Sequence, residues 1–268
     1  MSLKMEFCAA SDAGKVRSNN EDSYLLAPEL ELAIVADGMG GHNSGEVASS
    51  LGVKVTRDKF ESMSGTGLKP KPYNEKFCLE TNQLGFAVQL ANSVIYEAGN
   101  SSTNSKGMGT TLTAAFFRSP RICLAHIGDS RAYLLRDGQL KQITEDHSLV
   151  QEHVRNGVLT REQAEVSPLQ NILTRALGAQ KTPVVDLLEA ELAEGDRILM
   201  CTDGLFKAVK EQEILAALKV QPDDLQACAG LIATANTNGG PDNITLIIGT
   251  VKKKTIKEAL KDMVKGRG

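Results

Sequence analysis

The sequence predicts an α+β fold of layered antiparallel sheets with helices on the outside. Three observations carry this. Short apolar strands crowd residues 110–142, helical apolar patterns come in pairs at 44–60 with 78–99 and at 210–219 with 223–236, and no linker divides the 268 residues. That length suits one large core or two small ones. Without a linker, residues 1–254 read as one domain, followed by a basic helical tail at 255–268.

Taken in order, strands are expected at 5–10, 23–27 and 31–36, the last being LAIVA, which ends in the turn DGMGG. A helix follows, capped by Asn43 or Ser44, with Val47, Leu51, Val55 and Phe60 near one face. The Gly, Pro and Lys of 62–74 mark an exposed loop before a second helix, in which Leu84, Val88, Ala91 and Ile95 keep helical spacing. TTLTAAFFR, RICLAHIG, SRAYLLR and QLKQI then read as a meander. Short helices at 148–156 and 161–165 and strands at 183–190 and 196–202 come next. The second helix pair places Ile214, Leu215 and Leu218, then Leu225, Cys228, Leu231 and Ile232, on apolar faces, and NITLIIGTV is a buried strand.

Composition excludes several classes of function. Charged residues are 24% and hydrophobic ones 41%, an ordinary soluble balance. A net charge of -3 and 4% aromatics offer neither the field nor the stacking surface of a nucleic-acid binder. Five scattered cysteines without a C-x-x-C pair suit reduced thiols of a cytoplasmic protein. No apolar run is long enough to cross a bilayer, and the N-terminus lacks an export signal.

The chemistry signal is aspartate recurring beside glycine or asparagine at strand ends: Asp37-Gly38, Gly128-Asp129, Asp203-Gly204 and Asp242-Asn243. One Asp-Gly is chiefly a turn. Several such carboxylates meeting in space would repel one another unless a cation neutralised them, and all-oxygen donors select a hard ion such as Mg²⁺ or Mn²⁺.

RSNNED at 17–22, ADGMGGHNSGEVAS at 36–49, GMGTT at 107–111, GDSRAYLLRDG at 128–138, TEDHS at 144–148, LTRALG at 173–178, CTDGL at 201–205 and PDNIT at 241–245 resemble, in order, the bacterial metal-dependent serine/threonine protein phosphatases, the protein phosphatase 2C-like PPM family. The resemblance implies a four-layer αββα sandwich with a dinuclear centre of two Mn²⁺ or Mg²⁺ ions at one end of the sheets. Asp37 would bridge both ions, the Gly38 carbonyl would bind one, and Asp203 and Asp242 the other. Asp129 with Asp203 would hold a weaker third ion. Glu21, Asp22 and Asn243 would act on the ions indirectly, and Arg17 would clamp the substrate phosphate. Two ions sharing a water would lower its pKa and supply a hydroxide nucleophile, so no phosphoenzyme is required. His42 is a candidate general acid, displaced from the DGH of eukaryotic members, or else a group that hydrogen-bonds at the start of the helix. His147 is expected to organise the flap at about 144–172, His126 to pack in the core and His153 to lie on a helix surface. Ser167-Pro168 and Gln170 depart from the family's usual His-Pro and basic residue. The implied partners are phosphorylated proteins in signalling, with the chain itself a monomer. The competing reading is a pseudophosphatase that binds phosphoproteins or regulates a kinase.

Overall fold

The computed structural model describes residues 3–41, 44–101, 105–255 and Glu258. In chain order its strands are β1 (Leu3–Asp12), β2 (Asp22–Ala27), β3 (Leu32–Met39), β4 (Gly109–Thr110), β5 (Leu112–Arg118), β6 (Arg121–Ile127), β7 (Arg131–Arg136), β8 (Gln139–Gln142), β9 (Asp186–Glu191), β10 (Arg197–Cys201) and β11 (Ile244–Lys253). Its helices are α1 (Ser44–Met63), α2 (Leu79–Ser101), α3 (Leu149–Arg155), α4 (Arg161–Glu165), α5 (Asp203–Ala208), α6 (Glu211–Val220) and α7 (Asp224–Thr237). One sheet runs β1-β11-β10-β7-β8 and the other β2-β3-β5-β6-β9, with β4 paired to β3, and the strand pairs are antiparallel.

Alternating side chains divide the apolar interior into three layers. Along β3, Leu32, Ile34 and Ala36 face α1 and α2, while Ala33 and Val35 face the other sheet. Along β10, Leu199 and Cys201 face α5, α6 and α7, and Ile198 and Met200 face back between the sheets. Strands buried on both faces explain why LAIVA, ILMC and ITLII are continuous apolar runs rather than alternating ones. The expected αββα order is therefore observed.

Four local expectations change. β3 does not end at Ala36, because Asp37 pairs with Asp22 and Gly38 with Thr110, so the strand carries both residues. The expected meander is two hairpins in opposite sheets: β5 and β6 pair in one, β7 and β8 in the other. The chain crosses at Gly128, whose φ of 109° is open to glycine and whose absent Cβ would lie 2.5 Å from Thr111. Val47 and Leu225 are 49% and 67% exposed, since α1 rests on its small residues and α7 on Ala227, Cys228 and Leu231. Asp203 begins a further short helix, α5, rather than ending a strand. His42, Asn43 and nearly all of the basic tail lie outside the described residues.

Candidate metal centre

The candidate centre is built around the end of β3. The Asp37 backbone N–H donates to Thr111 Oγ1 at 2.9 Å, and its carbonyl accepts from Thr110 Oγ1 at 2.8 Å and from the Thr111 N–H at 2.9 Å. Thr111 Oγ1 also hydrogen-bonds Ser130 Oγ at 2.8 Å, so the strand end is tied to the crossover carrying Asp129. Gly38 is pressed from two sides. A Cβ there would lie 2.1 Å from the Gly45 carbonyl oxygen and 2.5 Å from that of Glu21.

Two strands and a helix bring further carboxylates to this strand end. Asp22, in register with Asp37, accepts a 2.8 Å hydrogen bond from Thr202 Oγ1 at Oδ2. Asp203, at the start of α5, pairs through Oδ2 with Lys207 one turn later, and Lys207 also donates to Asn171 Oδ1 at 2.7 Å. Asp242, just before β11, receives a two-point ion pair from Arg17, Nε to Oδ1 at 2.9 Å and a terminal guanidinium nitrogen to Oδ2 at 2.9 Å. Asp129 is buried in the crossover.

These groups share one electrostatic field. Burial raises the Asp37 carboxyl well above the ordinary carboxylate range, and Asp203, Asp22, Asp129 and Asp242 push it further. Asp22 is raised to about 7, chiefly by burial and against the hydrogen bond from Thr202. Asp129 is raised to about 7 by burial and then by Asp203 and Asp146. Burial opposes the Lys207 charge, but Asp203 outweighs it and the ammonium pKa rises; Arg17 is raised by its bond to Asp242.

The donor set suits hard cations. All its members are oxygens, and the buried Oδ1 atoms of Asp22 and Asp203 have no hydrogen-bond partner. Among the described residues, no three of these carboxylates offer oxygens within 4.8 Å of one another. The set is thus spread across the cleft around Asp37 rather than gathered about one point.

The model of the protein phosphatase 2C family matches residues 14–231. The chain belongs to that family. It is 41% identical over 252 residues to the serine/threonine protein phosphatase PstP of Mycobacterium tuberculosis, covering 94% of this chain and 46% of that protein, so it spans about half of that relative's length. It is 37% identical to the serine/threonine phosphatase stp of Listeria monocytogenes, covering 89% of this chain and 92% of the relative. A crystal structure of the M. tuberculosis PstP/Ppp superposes with a TM-score of 0.83 at 39% identity, over 94% of this chain and all of that one. The PstP catalytic domain in complex with two manganese ions gives 0.80 at the same identity and coverage.

Within this protein phosphatase 2C chain, Asn243 and Glu21 brace the loop that carries Arg17. Asn243 accepts from the Glu21 N–H at 2.8 Å and donates to the carbonyls of Ala13 at 3.0 Å and Asn19 at 2.8 Å, holding the loop that carries Arg17. Both ends of its amide are engaged with backbone. The Glu21 carbonyl accepts from the Gly38 N–H at 3.1 Å and from Ser49 Oγ at 2.6 Å, locking that loop to β3 and α1.

The histidines behave as the sequence suggests where they are described. His126 is fully buried between Thr113 Oγ1 at 2.9 Å and the Glu145 carbonyl at 3.0 Å, and burial lowers it to about 4. His147 Nδ1 accepts from the Gly128 N–H at 3.1 Å, which leaves its Nε2–H to donate to Asp186 at 3.0 Å. Arg175 binds the same carboxylate at 2.8 Å, so this buried imidazole anchors the flap root. Sequence reasoning missed Lys207 and Thr202. The i, i+4 spacing of Asp203 and Lys207 within DGLFK was the available signal for the first.

Proposed function

We propose that this chain is a divalent-cation-dependent phosphatase of phosphoserine and phosphothreonine side chains in proteins. The observation that carries the reading is Asp22 held in register beside Asp37 and hydrogen-bonded by Thr202, the neighbour of Asp203, with buried oxygens of Asp22 and Asp203 left unpartnered. Manganese or magnesium held by Asp37, the Gly38 carbonyl, Asp203 and Asp242 would activate water for attack on phosphorus and neutralise the phosphoryl oxygens. Asp129 with Asp203 would supply a weaker third site.

The chain's own groups prepare this chemistry. Arg17, half-exposed at the rim, gives Nε and one terminal nitrogen to Asp242, which orients the guanidinium so that its other terminal nitrogen would meet a phosphoryl oxygen. Asn243 and Glu21 fix the loop on which Arg17 rides, while Thr110, Thr111 and Ser130 fix the backbone of Asp37. His42 is assigned the protonation of the leaving serine or threonine oxygen. His42→Ala should then slow a phosphothreonine peptide more than p-nitrophenyl phosphate, whose leaving group departs without a proton. The substrates are phosphorylated proteins and the working form is a cytoplasmic monomer. Among the described residues, no helix is long and apolar enough to cross a membrane.

Release of phosphate from a phosphothreonine peptide, measured with Mn²⁺ and with excess chelator, tests the reading. Turnover should require the ion. Binding of the phosphopeptide without turnover, in Mn²⁺ and in Mg²⁺, would sink the enzymatic reading and leave a phosphoprotein-binding module.

A further inference from the structure

Away from the cleft, at the corner where α2 meets β6 and β9, two cysteines distant in sequence come together. Cys78 Sγ lies 3.6 Å from Cys123 Sγ. Cys78 immediately precedes α2, and its carbonyl accepts the Asn82 N–H at 3.2 Å. Cys123 is buried in β6, opposite Glu189 of β9. Glu189 Oε1 accepts from the Cys78 N–H at 2.7 Å and from Thr81 Oγ1 at 2.6 Å, and the Thr81 hydroxyl lies 3.2 Å from the Cys78 sulfur. A cavity of about 280 Å³ is lined by both cysteines and by Arg118 and Arg121.

We propose that Cys78 and Cys123 are an oxidisable pair in which Cys78 takes up a peroxide and Cys123 closes a disulfide joining the start of α2 to β6. The two sulfurs are not equivalent. Cys78 is half-buried and lines the cavity together with Arg121, whose guanidinium is ion-paired to Glu189 at 3.3 Å. A cation there can face the negative charge of an attacking sulfur. Cys123 is pushed up to about 12, first by burial, so it rests as a thiol until a partner is presented. The chain Cys78–Thr81–Glu189 offers the departing proton a route to a carboxylate.

The step balances. The Cys78 thiolate attacks one peroxide oxygen and the O–O bond breaks, giving a sulfenic acid and, for hydrogen peroxide, hydroxide that is protonated to water. The Cys123 sulfur then attacks the Cys78 sulfur, the S–O bond breaks, and a second water leaves with the Cys123 proton. Two thiols are oxidised by two electrons and one peroxide is reduced.

The same three residues place donor atoms within 4.8 Å of one another, the arrangement of a small metal site. Charge argues against a cation there. Glu189 Oε2 faces Arg121 at 3.3 Å, Oε1 already holds two donors, and two arginines line the cavity.

The test is peptide mapping of the whole chain after hydrogen peroxide, without reductant, beside an untreated sample. Wild type should lose about two mass units and yield one Cys78–Cys123 cross-link that dithiothreitol reverses. Cys123→Ser should stop at a sulfenic acid on Cys78 that dimedone traps, and Cys78→Ser should give neither product. The wild-type map decides even if a variant fails to fold. A map with both thiols free at peroxide levels that oxidise a control dithiol peptide overturns the proposal. So does one with only Cys8 linked to Cys228, which are also neighbours. Stoichiometric Zn²⁺ uptake that depends on both cysteines, with no cross-link in the zinc-free chain, would replace it with a metal site.

Discussion

The two sheets bring aspartates to the same cleft but treat their charge differently. On the side of β10 and β11, Asp203 and Asp242 each have a built-in cation, Lys207 and Arg17. On the side of β2 and β3, Asp22 and Asp37 are paired with each other in register, and among the described residues no lysine or arginine forms an ion pair with either. Their carboxyls are driven upward, whereas Asp186, also in the second sheet but faced by His147 and Arg175, is held down to about 2. Strand position alone therefore does not set the charge state of these groups. Burial is the first cause of the rise at Asp22 and Asp37, whereas at the more open Asp186 the hydrogen bond from His147 and the Arg175 charge prevail; where no partner offsets burial, protons or solvent cations must take that place.

The comparison can be broken most decisively at Asp37. Asp37→Asn should lower Mn²⁺-supported phosphothreonine hydrolysis by about 10³-fold, while the melting temperature in chelator rises as like-charge repulsion is relieved. Near-normal turnover would show that the sheet side without cations is dispensable. Gly38→Ala comes next. The added methyl collides with two backbone carbonyls, and a loss of about 3 kcal/mol in urea unfolding is expected. An unchanged midpoint would mean that α1 and the 13–21 loop are not wedged against β3.

Lys207→Met probes the other side. With the competing ammonium removed from Asp203, the Mn²⁺ concentration for half-maximal activity should fall about tenfold, a difference of ~1.4 kcal/mol. A rise would assign Lys207 to supporting the ion rather than competing with it. The smallest effect belongs to Asp186, whose side chain is 35% exposed. Its carboxyl is depressed in the folded chain, so its contribution is present above the unfolded value of 3.8 and lost as pH falls from about 4 towards about 2. After discounting for solvent screening, Asp186→Asn should remove ~1 kcal/mol at pH 7 and only a small fraction of that at pH 2, read from denaturant midpoints.

The aspartates were legible because each sits in a short motif whose residues also shape its own turn. Paired helices and continuous apolar strands likewise gave the layers. The sheet switch at Gly128 was not legible, since β6 and β7 are apolar whichever sheet they join. Val47 was misplaced because helix orientation is set by the partner surface. Here the α1 backbone approaches Gly38 and Thr110 through Gly45 and Gly52, and that approach rotates the apolar stripe. The charge pairing was hidden for a similar reason: Arg17 and Asp242 are 225 residues apart and meet only through the paired β1 and β11 and the Asn243 brace.

That pairing also fixes where neighbouring modules can attach. Asp12 faces Ile244 beside the aspartates, whereas Leu3 faces Lys253 at the opposite end of the same two strands, about 30 Å away by strand rise. Polypeptide joined directly at Leu3 or Lys253 would start from the sheet end far from the aspartates. Under the proposed reaction, a tether or reporter grafted at Leu3 or Lys253 should leave a bulky phosphoprotein free to approach the aspartates.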